Sequence, residues 1–311
     1  MTARRMLKVD PSSSIAYAFL AFALYAEGRP LESVRLAFAA QIERTRAKAV
    51  TPLSVRFRLA VLEGRFDEAL IAIAQWDEAL RDTQDDKLHV DLLGEHARVL
   101  FEIGRPRDAG ALARDYLKRR AGWTPDLSNI DPEGFVNAIR YRAGDLARES
   151  FVRIRESWRA AEWKRLELDA YPAGRSALWF AAYASVSSKG GADAKDAVDA
   201  LGRFAPLPGA FYRDVEMDEA LGATLLHAQR AQEALTPLRR AASSCLAASS
   251  PFEHTHALGE LGEALQRAGD REGACRAYAA VISRWGAARP TSVTAERVRA
   301  RARALRCRGA D

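Results

Sequence analysis

Apolar residues recur along this chain with a helical period, in short bursts separated by turns. The clearest burst covers residues 256–286, HALGELGEALQRAGDREGACRAYAAVISRWG. Leu258, Leu261 and Leu265 stand at i, i+3 and i+7 and form one apolar stripe. Gly262 adjoins that stripe and, having no side chain, lets a second helix approach closely. Gly269-Asp270 predicts a helix end and a fresh start, because glycine accepts the left-handed C′ conformation and aspartate caps the next helix. Ala274, Tyr278 and Val281, at i, i+4 and i+7, supply the facing stripe. The pattern predicts two antiparallel helices closed on one another.

Weaker copies run back to the N-terminus. Their turns read EGRPLES from Glu27, EGRFDEAL from Glu63, IGRPRDAG from Ile103, AGDLARES from Ala143, KGGADAKDA from Lys189 and AQRAQEAL from Ala228. With AGDREGAC from Ala268 they make seven. Gly28, Gly64, Gly104 and Gly144 are 36, 40 and 40 residues apart, a recurrence that predicts a helical array. In such an array each unit buries its face against its neighbours. Pro125, Pro132, Pro172, Pro206 and Pro208 fall between units, where proline stops helices without damaging them. The stretch APLPGAF, 205–211, reads as a kink or subdomain boundary. At the end, Val298, Ala302 and Leu305 lie at i, i+4 and i+7 and can cover the last hairpin. Arg297, Arg299, Arg301, Arg303 and Arg306 then form a solvated outer face, as a terminal cap requires. The predicted fold is all-α: fourteen repeat helices, two for each turn, and a C-terminal capping helix.

Counted from Gly262, Gly269 lies 7, Ala274 12 and Tyr278 16 residues on. With Leu261-Gly262 this order resembles the tetratricopeptide repeat (TPR) signature. Leu221-Gly222, Leu225, Ala234 and Leu238 repeat it, and Leu20-Ala21, Leu24 and Gly28 follow it in part. The resemblance implies a right-handed superhelical solenoid of about seven hairpins. MLKVDP, within residues 1–11, resembles the tail of a second helix and the Asp-Pro that closes a unit. Met1 is therefore expected to lie inside a repeat of a longer chain, the alternative being a short leader. The organisation expected is residues 1–11 as partial repeat or leader, 12–205 as repeats one to five, 206–290 as repeats six and seven, and 291–311 as cap and tail. Tyr278, Trp285, Ala288 and Pro290, followed by an Ala/Arg-rich helix, resemble the end of repeat tails carried by many bacterial serine/threonine kinases and some transcriptional regulators. In those proteins the tail is a docking or sensing arm. No glycine-rich phosphate loop, VAIK-like lysine, HRD or DFG occurs in the chain, so a kinase domain would lie upstream or on another chain.

In tetratricopeptide arrays the first helix of each pair lines the concave groove. Projecting that phase places Phe22, Tyr25, Arg58, Arg98, Phe101, Tyr141, Arg142, Glu263 and Arg267 toward it. Arginine with aromatics suits an extended acidic or aromatic-containing peptide, through bidentate carboxylate pairing and aromatic anchoring. The basic/Asn clamp for a C-terminal carboxylate is not recognisable.

Composition adds little chemistry. The net charge of +6 comes from 40 Arg and 7 Lys against 41 acids, an arginine bias that reads as genome composition rather than a nucleic-acid surface. The Arg-rich end has no interleaved aromatics, so nucleic acid is disfavoured as partner. The apolar run at 15–26 is 12 residues, too short to span a bilayer, and MTARRMLKVDP does not lead into a signal-peptide core. A cytoplasmic protein is expected. Cys245, Cys275 and Cys307 are odd in number and in no CxxC, and are expected as buried or idle thiols. His254 and His256 point to different helix sides, while His89 and His96 lack a third ligand, so neither pair is read as a metal site. Asp82–Asp86 (DTQDD) is read as a solvated link, and Asp67-Glu68 and Asp218-Glu219 as surface pairs. No catalytic constellation, cofactor or metal is expected. The chain is read as a non-catalytic protein-protein interaction scaffold that takes a peptide or protein partner in its groove. The alternatives are a regulator module working with a DNA-binding domain elsewhere, and a helical-toroid enzyme needing inward-facing acids or histidines. A closed ring around a polar pocket would favour the enzyme, and an open curved groove the scaffold.

Overall fold

The computed structural model describes residues 3–45, 50–83, 85–121, 130–169, 172–204 and 215–309. A short α1 (Ala3–Val9) packs on the first of seven helix pairs. The first three pairs are α2 (Ser14–Ala26) with α3 (Leu31–Arg44), α4 (Val50–Leu62) with α5 (Phe66–Leu80), and α6 (Asp86–Glu102) with α7 (Pro106–Arg120). α8 (Glu133–Arg142) pairs with α9 (Arg148–Asp169), and α10 (Pro172–Ala182) with α11 (Gly191–Phe204) through a 3-10 turn at Ala184–Lys189. α12 (Val215–His227) pairs with α13 (Ala231–Ala242), α14 (Pro251–Arg267) with α15 (Arg271–Trp285), and α16 (Val293–Ala304) caps the array. The all-α class and the fourteen paired helices match expectation. Pro125 and the 205–211 stretch lie outside the described residues.

All seven predicted turns fall between the two helices of a pair. Each helix before a glycine or Gln229 turn ends alike: the N–H two residues past the last turn bonds back five residues. Examples are Arg65 N to Ala60 O at 2.8 Å, Arg105 N to Leu100 O at 2.7 Å and Asp270 N to Leu265 O at 2.9 Å. This bond needs a left-handed residue at the turn. Gly64 supplies it at φ 69°, and Gln229 does the same at φ 66° without glycine's freedom. Gly190 is extended instead, and there the 3-10 turn replaces the glycine stop. Asp270 caps α15 as expected, accepting from Gly273 N at 2.7 Å. A Cβ on Gly262 would run into the Tyr278 ring, and one on Gly222 into Leu238. The small-against-large spacing of 16 residues is thus a direct contact in both pairs.

The array does not stay open. α14 packs against α4, and α16 against α6, so the seventh pair and the cap return to the second and third pairs. Phe252 and Trp285 enter one core with Phe57 and Phe66. Phe252 stacks on Phe66 with ring centres 6.0 Å apart, and Trp285 meets Phe66 edge-on at 5.4 Å. The Trp285 indole N–H donates to the Val61 carbonyl at 2.8 Å. Arg289 N donates to Gly64 O at 2.8 Å, and Asp67 N to Arg289 O at 3.2 Å. A Cβ on Gly64 would sit only 3.0 Å from the Ala288 Cβ, so this glycine also makes room for the returning chain. The pair α2/α3 stands outside the closure, tethered by Arg284 over the Tyr25 ring at 5.4 Å.

Two expectations are corrected here. Cys275 and Cys307 are not idle thiols but a disulfide, with Cα atoms 5.4 Å apart; Cys245 is free and exposed. Sequence spacing missed the pair because α16 doubles back along α15 and brings two residues 32 apart together. DTQDD is a solvated link only in part: Asp82 and Asp85 are exposed, but Asp86 is not. Asp85 caps α6, accepting from Leu88 N at 3.1 Å, and Asp86 is buried between Tyr116 and Arg120.

The closure makes a stability prediction. Trp285 is 1% exposed, so Trp285→Ala removes a fully buried ring and the bond to Val61. A loss of about 3–5 kcal/mol is expected in denaturant unfolding monitored by circular dichroism. A loss under about 1 kcal/mol would mean that the seam does not hold.

Candidate functional site

Closure forms a partly open cavity of about 240 Å³ on the inner side of the ring. Its wall is built from α6, α8, α10, the 3-10 turn, α12 and α14, with the start of α16 at one edge. On α14, Glu253, His256, Glu260 and Glu263 follow at i, i+3, i+7 and i+10, so one helix face carries an acid–histidine stripe. α6 answers with Arg98, Phe101 and Glu102, α8 with Arg142, and α12 with Glu219 and His227. The long axis of each pair buries the opposite stripe in its own hairpin, which leaves these polar positions to face inward.

Two kinds of charged group result. Some are fully matched. Arg98 reaches Glu95 at 3.2 Å, Glu216 at 3.5 Å and Glu253 at 2.9 Å, linking α6, α12 and α14. Although burial disfavours its charge, these acids raise its pKa. Glu102 is 4% exposed and accepts from Ser292 Oγ at 2.5 Å, Thr294 N at 2.9 Å, Thr294 Oγ1 at 2.8 Å and His256 Nε2 at 2.9 Å. Burial pushes its pKa up, but the bonds from His256, Ser292 and Thr294 win and hold it below the ordinary value. Glu263 is bridged by Arg267 at 2.6 Å and Arg301 at 2.8 Å.

The others are not matched. Glu260 is 7% exposed, and its Oε2 has no hydrogen-bond partner among the described residues. Burial pushes its carboxyl up to about 8; Arg297 opposes the shift, Glu263 adds to it and Arg142 opposes it. Glu219 is pushed well above its ordinary value by burial first, then by Glu260 and Glu253, against Arg142 and Arg98. Glu253, although matched by Arg98, is raised too, burial outweighing that bridge. Arg142 lies over the Phe101 ring at 4.4 Å and makes no ion pair among the described residues, its charge disfavoured by burial. His227 Nδ1 is buried without a hydrogen-bond partner among the described residues.

Of the expected groove residues, Arg98, Phe101 and Arg142 line this cavity, and Glu263 and Arg267 form the bridge beside it. Arg58 is half-buried and senses Glu95. Three go elsewhere. Phe22 packs edge-on against Phe38 at 6.0 Å in the α2/α3 core, and Tyr25 lies under Arg284. Tyr141 is buried against Phe151 at 4.6 Å and donates to Asp193 Oδ2 at 2.9 Å. The phase projection fails for these because α2 stands outside the ring and Tyr141 sits on the α8 face turned toward α9. The Arg-rich cap is not simply a solvated face: Arg301 bridges Glu263, Arg299 donates to Gly286 O at 2.8 Å, and Arg297 edges the cavity. Glu219 likewise leaves the surface role expected of Asp218-Glu219. Glu253, Glu260 and His227 escape the sequence reading, which takes Glu219 for a surface acid and weighs His256 only as a metal ligand, although the i, i+3, i+7 stripe on α14 is there to be read. Among the described residues no three His, Cys, Asp or Glu side chains cluster so as to hold a metal ion. No described helix is long and apolar enough to cross a membrane.

No family model matches the sequence, and no curated protein does. Among solved structures the chain is similar to the crystal structure of the P58(IPK) TPR domain, at 14% identity and a TM-score of 0.31, over 97% of this chain and 91% of that one.

The raised carboxyl of Glu260 carries a signed pH dependence. A group that binds its proton more tightly when folded stabilises fully below the unfolded value of 4.5, and that stabilisation is lost as pH rises through about 8. Glu260→Gln cannot ionise. The melting temperature of the variant minus that of the wild type is therefore expected to grow steadily between about pH 5 and pH 8. Parallel melting curves across that range would show that Glu260 ionises normally.

Proposed function

We propose that this chain is a non-catalytic interaction module whose recognition site is the cavity on the inner side of the ring, serving as the docking or sensing part of a bacterial signalling protein. One observation carries the reading. Four wall helices and the cap turn charged side chains into a single cavity in which Glu260 and Arg142 keep no ion-pair partner among the described residues. Buried polar groups left unmatched are a reserve of binding energy, released when a guest supplies the missing partner. Closure narrows the concave groove to a pocket, so a partner enters by a compact group rather than as a long extended segment. The acidic peptide expected from Arg58 and Arg98 loses its main support, since Arg98 already serves three carboxylates. The same module could equally report to a DNA-binding domain elsewhere.

The enzyme reading is favoured by the closed ring, the polar centre and a carboxyl held near neutral. One experiment separates the two. Native mass spectrometry after incubation with a cell-derived small-molecule extract should show a discrete adduct on the wild type and none on Ala223→Trp, which fills the cavity. Recovery of the bound compound unchanged supports the binding module. Its conversion over repeated turnovers supports the enzyme. Equal adducts on both proteins would place binding outside the cavity and overturn both readings.

The compartment is tested through the Cys275–Cys307 pair. A reducing cytoplasm keeps such a pair as thiols. Alkylation in intact cells is expected to label both residues if the chain is cytoplasmic. Labelling only after added reductant would rule that placement out.

A further inference from the structure

The charges left unmatched in the cavity are of both signs, and this restricts what can occupy it. Glu260 and Glu219 present carboxyls with no ion-pair partner among the described residues, on α14 and α12. Arg142, on α8, presents a guanidinium in the same condition, and Arg297, on α16, an exposed one at the cavity edge. A purely anionic guest would meet the carboxyls of Glu219 and Glu260, beside Glu253 and Glu102, which are already bonded. A purely cationic guest would meet Arg142 and Arg297. Only a guest carrying both signs on one small frame answers each group.

We propose that the cavity is a binding site for a compact zwitterion of the amino-acid or dipeptide class, its ammonium held by Glu260 and Glu219 and its carboxylate by Arg142 and Arg297. This deepens the interior-recognition reading and rests on it. The size fits: about 240 Å³ accommodates an amino acid with a sizeable side chain and is too small for a folded element. The remaining wall is mixed: Ser185, Ser187, Ser188 and Thr294 line part of it, while Phe135, Ile139 and Phe180 beside Phe101 form an apolar patch that suits an apolar side chain between the charged ends. Each arginine can take a carboxylate by two parallel N–H donors. Binding carries a proton signature. Glu260 faces Arg297, Glu263, Arg142 and Glu219, and Glu219 faces Glu260, Glu253, Arg142 and Arg98. An incoming ammonium makes the charged carboxylates favourable and drives their protons off. The guest itself is unchanged; protons pass from Glu260 and Glu219 to buffer.

The test is calorimetric titration of the full chain with L-leucine, L-phenylalanine and Leu-Leu dipeptide. The blocked probes are N-acetyl-L-leucine, which keeps only the anion, and L-leucinamide, which keeps only the cation. Expected are saturable binding of at least one free zwitterion, at least tenfold weaker binding of both its blocked forms, and a heat that varies with buffer ionisation enthalpy, showing proton release. Glu260→Gln and Arg142→Gln, each confirmed folded by circular dichroism, should each weaken binding at least tenfold. Arg35→Gln, on the outer face, should leave it unchanged. Equal binding of a blocked form, or no binding by any free zwitterion, overturns the proposal. The interior reading survives that result if the extract still gives an adduct that Ala223→Trp abolishes. If that adduct is also absent, the interior reading falls with it.

Discussion

Everything inside this molecule depends on the seam where the last helix pair meets the second. A stack of helical hairpins otherwise has two free ends and a concave side open to water. Here the aromatic contact of Trp285 and Phe252 with Phe57 and Phe66 removes large rings from water on both sides of the join. The polar contacts add register: the indole bond to Val61, the Arg289–Gly64 backbone bond, and Glu102 held by Ser292, Thr294 and His256. Apolar burial provides adhesion without direction, and hydrogen bonds to buried groups provide direction because a mismatch leaves them unsatisfied. The two together define one closed arrangement.

The seam also explains the electrostatics. An inner surface facing open water could carry Glu219, Glu253 and Glu260 without consequence, since each would be hydrated. Once the ring closes, the same carboxyls lose water, and neighbours that were distant in an open array become close. Arg98 illustrates the adaptation: its three acid partners come from α6, α12 and α14 and satisfy it fully. Glu260 illustrates the remainder, a group whose nearby cations lower its energy but do not bond it. The difference between these two residues separates the cavity's scaffolding from its recognition surface.

The local architecture was legible in the sequence because it is set by short-range chemistry. Glycine at Gly28, Gly64, Gly104, Gly144 and Gly269 marks positive-φ stops, and Gly262 opposite Tyr278 marks a close helix approach. These depend on residues a few or a dozen positions apart. Closure was not legible, because Trp285 and Val61 are 224 residues apart and no local pattern announces their meeting. The site followed the same division. Helical phase places Arg98, Phe101 and Arg142 on the inner side, where they line the cavity. Glu219 and Glu260 occupy equally suitable phases but read as ordinary surface acids until the ring gives them an inside. The disulfide was hidden for a similar reason, since its two halves meet only when α16 folds back on α15.

Closure also changes how the repeat number is constrained. In an open stack a hairpin can be duplicated or lost with effects confined to its neighbours. In a ring the rotation contributed by each hairpin must sum to the angle that returns Trp285 to Val61. One hairpin more between α4 and α14 would carry the two residues past each other, and one fewer would leave them short. The pair α2/α3, lying outside the circuit, is exempt from that sum. Lineages of this chain should therefore gain and lose hairpins at the N-terminal end while the number within the circuit stays fixed.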